Sequence, residues 1–150
     1  MINEIISGVC EALSEEFGFP VHTEKSAQGA QKPCFFVTCK NPRSGSVKDR
    51  YFVSRQLLGD RYLNSAGLCV EFFPSAPLLA RGEYGEVLDR LFLCLEYIPF
   101  MGGVLRGQGM QGEYAEDMLN FFVNYDVFVC RGEEKDVMEK ITRKEEFLWH

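Results

Sequence analysis

Asp117 to Cys130, DMLNFFVNYDVFVC, is the stretch on which the fold turns. Read at a period of two, it sets Leu119, Phe121, Val123, Tyr125, Val127 and Val129 on one side and Asn120, Asn124, Asp126, Phe122 and Phe128 on the other. That is a long strand with one dry face. The second face mixes amides, a carboxylate and large rings, a composition better suited to meeting another protein than to meeting water alone. No group in it performs chemistry.

Working outward, the Val104–Tyr114 segment before it predicts an antiparallel hairpin turning near Glu116 and Asp117. Upstream, Tyr84, Val87, Leu88, Leu91 and Leu95 recur at helical spacing and predict a helix from about Glu83 to Tyr97, with Glu86 and Arg90 paired on its outer side. The amino terminus predicts another, from about Ile2 to Phe17, on the stripe Ile2, Ile5, Ile6, Val9, Leu13 and Phe17. Gly18 and Pro20 stop it. A short extended piece follows at Val21–Lys25. CFFVTCK, bounded by Pro33 and Pro42, and Leu68–Phe73, ended by Pro74, both read as strands. The charged segment Glu133–Trp149 predicts a helix with a narrow apolar stripe of Val137, Met138, Ile141 and Leu148.

Between Asn41 and Ala66 lie five cations and two acids, a local balance of +3 that leaves −9 on the rest of a chain whose net charge is −6. Loops of this length rarely lack structure of their own, so a projecting hairpin built around RYFVSRQL is expected. Three readings of it stay open: a solvated hairpin, an arm that grips single-stranded nucleic acid through interleaved arginines and rings, and a protein-binding arm aimed at an acidic neighbour. A +3 arm on a −9 body is an arrangement through which identical subunits attract head to tail.

Composition bounds the rest. At 150 residues and 46% apolar, one domain spanning 1–150 with an ordinary core is expected. The acidic balance argues against broad affinity for nucleic acid or anionic membrane, and no apolar run approaches the roughly 20 residues that span a bilayer. The amphipathic, acidic amino terminus is unlike a signal peptide. Cys10, Cys34, Cys39, Cys69, Cys94 and Cys130 sit in apolar patterns and read as free thiols in a reducing cytoplasm.

Gly107–Gly112, GQGMQG, matches the glycine spacing of dinucleotide-binding loops, but a strand-like run follows where that mechanism needs a helix amino terminus. The strand reading gives Gly107 and Gly109 a different task, a bulge or the close approach of another backbone. His22 is the only internal histidine, and no His–Cys spacing resembles a metal cage. The acid pairs Glu15–Glu16, Glu133–Glu134 and Glu145–Glu146 fall on helix surfaces as solvated charge. No catalytic residue, metal ligand, cofactor or enzymatic activity is expected.

Four segments, KPCFFVTCKNP, RYLNSAGLCVEFFPS, VLDRLFLCLEYI and LRGQGMQGEYAEDMLNFFVNYDVFV, together resemble the phage tail terminator, or tail completion, proteins of phages and prophages of Gram-positive bacteria. The likeness runs from the first helix to about Cys130, and LRG…MLNFFVNYDVFV is its most specific part. The resemblance implies a structural virion assembly protein. Its subunits would form a ring, commonly a hexamer, on the head-proximal end of the tail tube, stop tube polymerisation and help join tail to head. The partners implied are self, the tail tube protein and a head completion or connector protein. Assembly would take place in the host cytoplasm, ending in the virion tail. The alternatives are another head–tail connector or neck protein and, in a different class, a single-stranded nucleic-acid-binding accessory protein.

The expected architecture is therefore α+β: an antiparallel β-sheet of about four or five strands, two main helices on one face, a projecting basic hairpin and a C-terminal charged helix. Arg50, Tyr51, Arg55 and Arg61 on the arm, opposed by Asn120, Phe122, Asn124 and Asp126 on the sheet, are the expected subunit or partner contacts.

Overall fold

The computed structural model describes residues 1–23, 31–39, 52–76, 81–115, 117–130 and 146–148. Helix α1 is Ile2–Phe17, with Ile5, Val9 and Leu13 fully buried. Gly18 ends it in the left-handed conformation, its N–H donating to the Ser14 carbonyl at 3.0 Å. Helix α2 is Arg81–Cys94, burying Tyr84, Val87 and Leu91. The strands are β1 (Val21–His22), β2 (Cys34–Cys39), β3 (Phe52–Gln56), β4 (Arg61–Phe73), β5 (Tyr97–Phe100), β6 (Gly103–Tyr114), β7 (Leu119–Cys130) and β8 (Glu146–Leu148).

Two long strands organise everything else. β4 and β7 pair antiparallel from Arg61 opposite Cys130 to Phe72 opposite Leu119. At about 3.3 Å per residue each reaches some 40 Å, long enough to take two shorter strands end to end on its other edge. Along β4, β3 pairs with residues 62–66 and β2 with residues 68–73. Along β7, β6 covers residues 119–125 and β8 residues 128–130. The main path runs β1-β2-β4-β7-β6-β5.

The dry side of β7 is the core. Leu119, Phe121, Val123, Tyr125, Val127 and Val129 join Phe35, Val37, Leu68, Val70, Phe72 and the inward stripes of both helices in one cluster. Each fully buried side chain of this size stabilises by about 1.5–3 kcal/mol relative to exposure. Rings line much of it: Phe35 lies 4.9 Å from Phe17 and 5.2 Å from Phe72, and Phe92 meets Phe121 edge-on at 5.2 Å. Arg90 ties the helices together, with Nε donating to Glu16 Oε2 at 2.8 Å and its guanidinium 4.3 Å from the Phe17 ring centre.

The glycine-rich segment is strand. β6 changes partner midway, pairing with β5 over residues 103–106 and with β7 from Gly107, and its register shifts between Gln108 and Gln111. Gly107 donates to the Glu96 carbonyl at 2.6 Å, and a Cβ there would stand 2.7 Å from the Leu95 carbonyl oxygen. Gly109, at φ 60°, takes the turn of the bulge. Nearby, the Tyr125 hydroxyl donates to the Leu95 carbonyl at 2.7 Å, deep in the core.

Several expectations are corrected. Among the described residues the sheet has eight strands, not four or five, and it is mixed, because β1 pairs parallel with β2. It curls into a half-barrel. The strand expected at Leu68–Phe73 begins earlier, at Arg61, because β7 pairs with every residue from Arg61 to Phe72 and β3 adds a second ladder over residues 62–66. The basic hairpin is therefore not a free arm: its second strand is interior to the sheet. The second helix stops at Cys94, since Pro99 cannot continue it and Ile98 and Phe100 alternate inward as strand. Arg90 reaches across to Glu16, not to Glu86. Of the expected C-terminal helix, Glu146–Leu148 form strand β8, and the remainder lies outside the described residues.

Candidate assembly surface

Residues directly opposite in an antiparallel ladder share a face, so the register maps the second side of the sheet in rows. One row runs Phe36, Glu71, Asn120, Glu113; the next Thr38, Cys69, Phe122, Gln111. Further along come Val53, Ser65 and Asp126, then Arg55, Leu63 and Phe128, and finally Arg61 beside Cys130. Arg55 and Arg61 thus lie on the same side of the sheet as Asn120, Phe122, Asn124 and Asp126. The two groups therefore belong to a single continuous face of the sheet.

That face has two unlike ends. At the β2 end, Cys34, Phe36, Cys69 and Phe122 are buried, as is Glu71 at 1% exposure, and all stand apart from the main core cluster. Cys69 Sγ approaches Asn120 Oδ1 at 3.9 Å, and burial pushes the Cys34 thiol up from its ordinary value. Phe122, 5% exposed, has no area to offer as an anchor. Asn120, Asn124 and Asp126 are half-buried.

At the β3 end the face is open. Val53, Arg55, Leu57 and Arg61 are exposed around half-buried Leu63 and Phe128. Leu58, at the tip of the turn from β3 to β4, is 87% exposed. Among the described residues neither Arg55 nor Arg61 makes an ion pair. Arg50 and Tyr51 lie outside the described residues. Val53, Leu58 and Leu63 escaped the sequence reading, although Leu57–Leu58 beside Gly59 is an apolar pair in a turn, a signal in plain sight.

Among the described residues no group of three or more His, Cys, Asp or Glu is placed to hold a metal ion. No described helix is long and apolar enough to cross a membrane. What this geometry offers is contact: a curled sheet, a basic and apolar patch at one end, and an acidic helix layer on the far side. The family model for phage tail terminator protein matches residues 4–137, a span holding nearly all of α1, the whole of α2 and β1 to β7. The chain belongs to this family. No curated protein matches it. As a tail terminator protein it has a structural role in completing the phage tail, associates with tail components and resides in the virion tail.

Proposed function

We propose that this tail terminator caps the head-proximal end of the tail tube as a ring of identical subunits, ends tube polymerisation and presents the surface that joins the head connector. Membership of the family over residues 4–137 is the observation that carries this reading. The open β3 end of the sheet supports it, because arginines that make no ion pair among the described residues, interleaved with exposed apolar side chains, are the composition of an interface. Of the residues first expected to make contacts, Arg55 and Arg61 lie on that open patch and Asp126 at its border; Phe122 does not. The test is electron microscopy of tails assembled with and without the protein. Tubes of uncontrolled length in its absence are the expected result. Tubes of normal length that fail only to acquire heads would move the protein to the connector side of the joint.

A further inference from the structure

The helix layer carries Glu4, Glu11, Glu15, Glu16, Glu83, Glu86 and Asp89 against Arg81 and Arg90 alone. Arg90 is already committed to Glu16, so Glu86 and Asp89 have no cationic partner among the described residues. Together with Leu93, 76% exposed, they form one outward stripe of α2 at helical spacing, opposite the buried Tyr84, Val87 and Leu91. On the other side of the same sheet, Arg55 and Arg61 are likewise unpaired and sit among exposed Val53, Leu57 and Leu58. One chain therefore presents two surfaces that are each other's complement in charge, both with apolar side chains beside the charges.

We infer that the β3–β4 hairpin of one subunit docks on the α2 stripe of a second copy, Arg55 and Arg61 facing Glu86 and Asp89 while Leu93 packs against the hairpin's apolar residues. The spacing suits this. Arg55 and Arg61 are diagonal neighbours across two strands, with backbones about 7–8 Å apart. Glu86 and Asp89, three residues apart on a helix, have Cβ atoms about 5–6 Å apart, a difference that long arginine side chains take up. The two surfaces point in opposite directions, so a twofold pair cannot satisfy both at once. The contact is heterologous, and it either closes as a ring or runs on. This deepens the ring reading above and rests on it, naming which surfaces meet and the polarity of the joint.

The decisive experiment reverses each surface separately and then mixes the products. Arg55→Glu with Arg61→Glu, and Glu86→Arg with Asp89→Arg, are prepared in the full chain, with circular dichroism and thermal melting to verify folding. Masses are followed by native mass spectrometry and sedimentation at low salt. Wild type is expected to self-associate, more weakly as salt rises. Each double variant alone should associate about a hundredfold more weakly, since like charges now face each other. An equimolar mixture should recover the wild-type mass with the two variants in equal number, because every joint then regains opposite charges. Normal assembly by either variant alone, or a mixture that stays dissociated, overturns the pairing while leaving tube capping to the tail-length assay. A wild-type chain that remains single at every concentration and on isolated tail ends overturns both the pairing and the ring.

Discussion

The β5–β6 and β3–β4 hairpins are alike in outline and opposite in finish. Both expose apolar side chains, Tyr97, Met101 and Val104 on the first, Val53, Leu57 and Leu58 on the second. The β5–β6 turn is a tight pair, Met101 and Gly102, both at positive φ, and the outer side of β5 is closed. Pro99 has no N–H to offer there, and its carbonyl lies against Gly8 of α1, where a Cβ would collide with it. Helix α1 seals that end of the sheet. β3 has no such cover: four of its five residues are exposed, and its outer edge pairs with no described strand. Of the two hairpins, only the β3–β4 one is left uncovered to meet added protein.

The largest effect is expected at the seal. Gly8→Val should push α1 off β5 and cost about 2–3 kcal/mol in urea denaturation, because backbone on both sides leaves the new methyls nowhere to go. A loss under about 0.5 kcal/mol would mean that α1 does not close that edge. Next comes Tyr125→Phe, which strips the Leu95 carbonyl of its buried hydroxyl donor and should cost about 1–2 kcal/mol by the same measurement. Equal stability would show that the carbonyl finds another donor.

A smaller effect is expected at alkaline pH. Burial raises the Cys94 thiol from an ordinary value of 9.0 to about 12. The unfolded chain therefore gives up this proton first, so the contribution is whole below pH 9 and fades as pH rises towards 12. Chemical denaturation followed across that window should show stability falling, and Cys94→Ala should flatten the fall. An unchanged slope would assign the loss to other groups. Smallest of all for the fold is Leu58→Ser at the open end, expected to change stability by less than about 0.5 kcal/mol while weakening self-association. A stability loss above about 1 kcal/mol there would mean that the leucine packs within its own chain, and the contrast between the two hairpins would narrow.

Particular residues show how far the chain could be read unaided. The alternation of Leu119 to Val129, the stripe Ile5, Val9, Leu13 and the strand assignment of GQGMQG all hold, because each depends on neighbours within a turn or two. The strand expected at Leu68–Phe73 is longer in the fold because the weak strand preference of Asn64 and Ser65 is overridden by ladders on both edges, and Gly67 is held by β7. The Glu86–Arg90 pair failed for a similar reason. Helical spacing made it available, but Glu16 on another helix offers both a carboxylate and a carbonyl to the same guanidinium.

From the sequence alone came the two-faced strand, both helix stripes and the segments that resemble tail terminators, all of them local patterns. Tertiary structure alone decided that β4 and β7 each carry two strands end to end, that Phe122 is spent inside the molecule, and that Arg55 and Arg61 share its side of the sheet. The physical reason is that periodicity tells which way a side chain points. How deeply that side is covered, and which charges are left over to attract a neighbour, depends on contacts between residues distant along the chain.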